Sequence, residues 1–559
     1  LFRSGSDPSQ TAIILDGLDS NNPRSKTPYT NYSLSAVKEI QVQTGGFSAE
    51  YGDARAGVVN IITREGSPQK YSGMITYRHS PPSPKHFGPA IYSPNTYYTR
   101  PFTDPEVCWT GTASGAWDRY KQRQYVSFEG YNRISENLNN DDNPDNNLTP
   151  AGVKRLWEWR HRRKGTIDKP DYNIDMGFGG PVPFLSDELG NLRFFTSYVT
   201  NHEMFILPLY RDSYDDSNFM LKLTSDITNK AKLTLTQSYG SIQSVNVDQW
   251  GSAPTGDVVR TSYQIASLAS QTYGDEIIYM PDYYTPTDIN RNQTGLKLVY
   301  QMNEKEFLQL KLNRRANFYH TYAPEERDTT KQYDIFPNYQ RDYMVDEAPY
   351  GYYPWSTETA PGGHLSLGGW MGFGRDSSTV NSYTLETDYT NQINRFHKIK
   401  TGFELTYTDY DIDASLYHPV SVQWNSRMKN NSAPIDFGAY IQDKLEFEGM
   451  IMNIGIRYDY SNVRRQWFEL NPYDTLLTAA HGEQLEERAP KDKIDPVSVF
   501  SPRLGVSHPI TEASKLYFNY CHFNSLPESR YRFQISRSGT DKIIDLGNPA
   551  LPFAKTIQY

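Results

Sequence analysis

From Tyr71 onward the dominant signal along the chain has a period of two residues. In the stretch 397–408, Ile399, Phe403, Leu405 and Tyr407 share one side of the alternation, and Lys398, Lys400, Glu404 and Thr408 share the other. Met450, Met452, Ile454, Ile456, Tyr458 and Tyr460 alternate with Asn453, Gly455, Arg457 and Asp459; Leu308, Leu310 and Leu312 do so with Gln309, Lys311 and Asn313. Successive side chains of a strand point to opposite sides, so this rhythm predicts strands with one apolar and one polar face. The segments run for about nine to twelve residues, the length a tilted strand needs to cross a bilayer. Ordinary globular strands average nearer five or six. Roughly fourteen such strands can be traced.

The predicted connections alternate too. Those at 391–395 and 509–514 are tight, whereas 246–293, 320–378 and 465–496 are long and rich in Tyr, Pro, Asp and Asn. Short turns at one end and long loops at the other are expected of outer-membrane barrels, and a sandwich has no reason to segregate them so strongly. Long loops usually carry function. In one of them, Tyr350, Tyr352, Tyr353 and Trp355 are candidate ligand-binding residues that would stack a sugar or another planar ligand; a role in loop packing or in an interfacial girdle is the equal alternative.

Residues 1–66 read differently. Short β-branched runs between tight glycine turns (Ala12 to Gly17, Val37 to Thr44, Val58 to Thr63) predict a small α/β or mixed domain with short buried strands. The stretch Ser35 to Glu39 has the makings of one helical turn leading into a strand. Val58, Val59, Ile61 and Ile62 form a strand apolar on both faces and hence buried. Asn60 inside it needs partners for its amide, and is expected to pin neighbouring backbone. Gly45, Gly46 and Gly52 would supply positive φ or close backbone approach at turns.

Composition sharpens this picture. No run approaches the ~18 apolar residues of a transmembrane helix, and mean hydropathy is −0.69. Yet 43 Tyr, 25 Phe and 9 Trp are too many aromatics for a disordered chain. Polar and Tyr-rich suits a wet-lumened barrel with aromatic girdles; on composition alone, a soluble propeller or sandwich remains equally open. The net charge of −9 disfavours nucleic acid as a partner, and the basic run Arg160 to Lys164 reads as a solvated loop. Two distant cysteines and scattered histidines give no metal or redox spacing, so neither metal nor cofactor is expected. The run Asp141 to Asn146 lacks the Gly and Glu of a calcium loop and reads as a polar turn. Hydrolase and phosphate-loop motifs are absent, which points away from an enzyme.

The sharpest motif lies in residues 35–64: Glu39 before a strand, Gly45-Gly46, Tyr51-Gly52, then Gly57-Val58-Val59-Asn60-Ile61-Ile62-Thr63, with Ile14-Leu15-Asp16-Gly17 upstream. This resembles the end of the plug domain of TonB-dependent outer-membrane receptors. Downstream, Gly179-Gly180-Pro181, Ala439-Tyr440-Ile441-Gln442-Asp443, Gly455-Ile456-Arg457-Tyr458-Asp459 and Gly547-Asn548-Pro549 resemble barrel segments of its Oar-like branch. The resemblance implies a transmembrane antiparallel β-barrel, of 22 strands in the family, around a lumenal α/β plug. Residues 1–66 would be the later part of the plug and residues 67–559 an incomplete barrel. A signal peptide, the TonB box and the first half of the plug would precede Leu1, and further strands would follow Tyr559. Asp16, Gly17, Glu39, Gly45, Gly46, Tyr51, Gly52, Gly57 and Asn60 become the candidate structural and gating residues. The implied activity is energy-coupled import, across the outer membrane of a Gram-negative bacterium, of a large scarce nutrient: siderophore-iron, cobalamin, oligosaccharide or peptide. The partners would be the TonB complex, outer-membrane lipid, an extracellular ligand and, as a further candidate, a surface lipoprotein. A passive porin and an adhesive surface barrel are the alternatives.

Overall fold

The computed structural model describes residues 8–27, 31–88, 93–96, 99–142, 147–160, 167–207, 209–247, 253–269, 284–323, 374–416, 425–447, 449–469, 488–511, 514–538 and 543–559. Its first part is a four-stranded sheet of order β2-β1-β4-β3, built from β1 (Thr11–Leu15), β2 (Leu18–Asp19), β3 (Val37–Gln43) and β4 (Gly57–Thr63). β1 and β2 form a hairpin on Asp16 and Gly17, with φ of 54° and 89°. Both central residues of a two-residue type I′ turn must take that left-handed conformation, and Asp-Gly is among the few pairs that do so readily. β4 runs parallel to β1 and antiparallel to β3, and most of its side chains are buried, as its unbroken apolar run predicts. β3 departs from the expectation of short buried strands, since five of its seven residues are exposed. The anticipated helical turn is a 3-10 turn over Leu34–Ala36, after which the strand begins at Val37.

The rest follows an antiparallel meander. Its strands are β5 (Ser72–Ser80), β6 (Asp171–Pro181), β7 (Arg193–Met204), β8 (Ser213–Thr228), β9 (Ala231–Val245), β10 (Pro286–Gln301), β11 (Glu306–Thr321), β12 (Gly374–Asp376), β13 (Thr379–Gln392), β14 (His397–Leu416), β15 (Ser426–Ser432), β16 (Ile435–Phe447) and β17 (Met450–Asn462). Then come β18 (Gln466–Phe468), β19 (Lys491–Lys493), β20 (Val497–Thr511), β21 (Ser514–Ser525), β22 (Ile535–Ser538), β23 (Ile543–Leu546) and β24 (Ala554–Gln558). Fourteen of these, β5 to β11, β13, β14, β16, β17, β20, β21 and β24, pair in that order as the wall of a barrel.

Burial in the wall is inverted relative to a soluble protein. Leu310, Leu312, Phe403, Leu405, Ile454 and Ile456 are exposed, while Lys311, Asn313, Arg315, Arg457 and Asp459 between them are buried. The apolar faces point outward and the polar faces inward, as a bilayer-embedded, wet-lumened barrel requires.

The period-two reading missed one region. Residues between β5 and β6 include four helices, α1 (Arg100–Thr103), α2 (Arg119–Gln122), α3 (Tyr131–Asn139) and α4 (Pro150–Arg160). Phe102, Phe128, Tyr131, Ile134 and Trp157 pack there into a cluster that continues through Leu207, Val259 and Ile265 to the upper ends of the wall strands at Ile289, Tyr319 and Ile412. Burial pushes the Tyr131 hydroxyl above its ordinary value, and it donates to Phe102 O at 3.1 Å. This is a folded lobe over the long-loop rim. Trp157, beside the run read as a solvated loop, lies in its core; residues 161–164 and 143–146 of the two polar stretches fall outside the described residues. A second, smaller lobe joins the β18–β19 hairpin to β22 and β23 through Trp467, Phe468 and Ile535. The long loops are therefore shorter than expected: β10 already starts at Pro286, and 465–496 contains a hairpin.

Candidate functional site

The small sheet sits in the lumen, held at three levels. Near the short-turn rim, Asp16 accepts hydrogen bonds from Thr63 N at 2.9 Å and from Thr63 Oγ1, and pairs with wall Lys222 at 3.1 Å. Glu65 meets Arg193 at 3.2 Å and Lys232 at 2.8 Å. Burial opposes its ionisation, but these cations override that and hold the Glu65 carboxyl below its usual value. Gly17 lies beside Lys297 and Lys311, where a Cβ would make only ordinary contact, so its φ of 89° and not space is what calls for glycine.

At mid-height the wall reads the sheet's loop backbone. Arg457 donates to Glu50 O at 3.0 Å, and Arg503 donates to Phe47 O at 3.1 Å, to Ser48 O and to Tyr51 O at 2.8 Å. Gly52 lets the first guanidinium in: a Cβ there would fall 2.2 Å from Arg457 Nη2. Gly46, with φ of 60°, donates from its N–H to Gln558 Oε1 at 3.2 Å, and a Cβ on Gly45 would strike the same Gln558 side chain. Gly57 opens β4 where a Cβ would meet Gln43 O at 2.9 Å. From the opposite wall, Asp175 accepts from Ser33 Oγ at 2.6 Å and Leu34 N at 2.8 Å, cradling the 3-10 turn. Apolar contacts complete the seat: Phe47 stacks on Phe523 at 4.0 Å, while Phe195 and Met220 cover Ile13, Leu15 and Ile61.

At the long-loop rim the apex of the sheet is clasped by both halves of the mouth. Buried Arg24 pairs with Asp376 at 2.8 Å, donates to Pro254 O at 3.1 Å and lies over the Tyr319 ring. From the other side, Ser529 donates to Arg24 O at 2.8 Å, and Lys26 reaches Leu526 O at 2.9 Å while pairing with Asp53. A cleft of about 180 Å³ opens there, lined by Arg24, Thr255, Asp257, Tyr410 and Arg530.

Below the apex lies a chamber of about 580 Å³ between sheet and wall, lined by Asp16, Tyr51 and Asn60 on one side and Lys311, Glu386 and Arg457 on the other. Burial raises the Tyr51 hydroxyl, against the pull of Lys311. The arrangement offers charge pairs and hydrogen bonds to a passing solute, and the described residues hold no group of His, Cys, Asp and Glu suited to a metal ion.

The structure thus brings Asp16, Gly17, Gly45, Gly46, Tyr51, Gly52 and Asn60 against the wall or the chamber. Glu39 stays apart, exposed on β3 with Gln41 as its partner at 2.7 Å. Asn60 corrects the sequence reading, because among the described residues its Oδ1 has no partner, and the residue lines the chamber. That oxygen is itself shielded from solvent although the residue borders the chamber, so it pins no neighbouring backbone. Tyr350, Tyr352, Tyr353 and Trp355 lie outside the described residues. The wall cations and the apex residues Arg24 and Lys26 were missed. The wall cations had one sequence signal, their position in mid-strand on the polar side of the alternation, and Arg24 and Lys26, in the turn region after β2, had none.

A sequence model described as TonB dependent receptor-like, beta-barrel matches residues 233–559. The TonB-dependent transporter Oar of Myxococcus xanthus is 30% identical over 72 residues, which are 13% of this chain and 7% of that protein. Among solved structures, the siderophore receptor PirA from Acinetobacter baumannii aligns with a TM-score of 0.52 at 11% identity, over 99% of this chain and 60% of its own. The ferric yersiniabactin uptake receptor FyuA from Yersinia pestis aligns at 0.50 and 9% identity, over 98% and 58%. At these identities the likeness is one of fold, and the chain spans about three fifths of the length of those two structures.

Proposed function

The chain belongs to the TonB-dependent receptor-like β-barrel family, and from that premise we propose that it is an outer-membrane importer whose lumenal sheet is an energised gate. The reading is carried by how the sheet is held. Its seat is largely charge pairs and arginine-to-carbonyl hydrogen bonds bordering a chamber, with only small apolar patches. When both partners of such a bond pass to water together the net cost is about 1 kcal/mol, so a pull from the periplasmic side can loosen the sheet and let it reseat. A dry apolar seat would resist by its whole buried area.

The ligand would enter through the cleft between the two lobes, contact the apex at Arg24 and cross the charged chamber. Ferric siderophores are the first class to assay, because PirA and FyuA are named for them; cobalamin, oligosaccharides and peptides follow. The TonB complex is the proposed source of the pull.

Two measurements on the full chain test this. In planar bilayers the intact protein should conduct little, and deletion of residues 8–66 should open a large pore; equal conductance from both would make it a passive porin. In cells, uptake of the matching ligand should stop when the inner-membrane proton gradient is collapsed. Binding without any gradient-dependent uptake would make it an adhesive barrel.

A further inference from the structure

The outer surface of the wall carries a feature that import does not use. Ladder registers place Leu296, Leu312, Leu385 and Leu405 side by side across β10, β11, β13 and β14. One outward step nearer the long loops, the same registers align Thr294, Arg314, Tyr383 and Tyr407. Between the rows is a groove of about 460 Å³ on the outward face, with the leucines as its floor. Arg314 is exposed there, its guanidinium 5.9 Å from the centre of the Tyr383 ring, and Tyr383 stacks on Tyr407 at 6.3 Å. Among the described residues no carboxylate pairs with Arg314, whereas its neighbour Arg315, turned into the lumen, meets Asp19.

Depth makes the cation informative. Arg314 is eight residues beyond Glu306, the short-turn end of β11. At roughly 3.3 Å per residue and a tilt of about 40°, this puts it roughly 20 Å up an apolar band about 25 Å tall. A cation just inside the upper edge of the hydrocarbon is tolerated where its head reaches the interface and finds an anion. Among the described residues none is supplied, and beneath the cation lies an apolar trough continuous with the lipid-facing band.

We propose that this groove is a specific lipid site: one acyl chain lies along the leucine row, and Arg314 binds the anionic phosphate headgroup of the same outer-leaflet lipid. The tyrosines flank the headgroup, and Thr294, whose hydroxyl donates to Gln237 Oε1 at 2.6 Å, only borders the site.

Native mass spectrometry of the full chain, released from detergent after incubation with defined lipids, tests the site. Phosphatidylglycerol should remain bound at about one molecule per chain, and phosphatidylcholine should be retained at least fivefold less. Arg314→Ala should lower phosphatidylglycerol retention at least fivefold, and Arg314→Lys should restore much of it. Leu312→Trp, which fills the trough and keeps the cation, should also lower it. Heat-modifiable migration on gels checks that each variant is folded. Equal retention by wild type and Arg314→Ala, or equal retention of the two lipids, would overturn the proposal. Displacement of the lipid by millimolar inorganic phosphate would show an anion site with no role for the groove, and would overturn it as well.

Discussion

The lumenal sheet and the wall that surrounds it are built from strands of the same kind, yet they bury opposite things. In the sheet, Val58, Ile61 and Leu15 are inside, as in any soluble domain. In the wall, Lys311, Arg315 and Arg457 are inside, and Leu312, Leu405 and Ile456 face out. The difference lies in the solvent on each side. The sheet has water or polar wall on its exposed surfaces, so its apolar side chains cluster. The wall has lipid outside, so its apolar side chains need no partner in the protein, and its polar ones turn to the wet lumen. The meeting of the two explains the seat: a sheet with a polar rim placed in a polar bore is held by charges.

Substitutions that reverse the rule in one region only would break this comparison. The largest effect is expected from Val58→Asp, which puts an unpaired charge in the fully buried centre of β4; about 4 kcal/mol of local stability should be lost. Protease digestion of membranes should then cut the sheet and spare the wall. Next is Leu405→Arg, on the lipid face, where about 2–4 kcal/mol is expected from the wall's folding equilibrium in bilayers. Lys311→Leu, which carries the reversal into the lumen, strands the wall carboxylates Glu386 and Asp388 that it pairs and should destabilise the wall by less than Leu405→Arg while leaving the sheet protected from protease. Gly52→Val drives a Cβ into Arg457 and should cost about 1–3 kcal/mol, seen as lost uptake from a barrel that still inserts.

The smallest effect is the pH response of Glu65. Its carboxyl titrates below the usual value in the folded state, so its ion pairs contribute stability above the unfolded pKa of about 4.3. That contribution fades as pH falls through the lower, folded value. Protease sensitivity of the short-turn end of the sheet should therefore rise on acidification below about pH 4, and Glu65→Gln should remove that dependence.

Much of the wall was legible because alternation is a local property. Leu308, Leu310 and Leu312 against Gln309, Lys311 and Asn313 state both the strand and its two faces, and the number of long strands followed. The Asp16-Gly17 turn was legible for a similar reason, since few residue pairs accept two positive φ angles. The lobe around Phe102, Tyr131 and Trp157 was not. Its helices are about one to three turns long and gain their stability from packing on loops and strand ends far away in sequence. The seat was hidden as well: alternation says that Arg457 and Arg503 face the lumen, but only the assembled barrel shows that they meet the carbonyls of Phe47, Ser48, Glu50 and Tyr51.

Spin labels placed one at a time along β11 from Leu308 to Asn313, with the protein in liposomes, test the inverted wall most directly. Labels at 308, 310 and 312 should be relaxed strongly by oxygen dissolved in the lipid and weakly by a water-soluble nickel chelate, and labels at 309, 311 and 313 should not follow that oxygen pattern. A profile without a two-residue period, or one with the leucine positions reached from water, would contradict a wall with lipid on its apolar face.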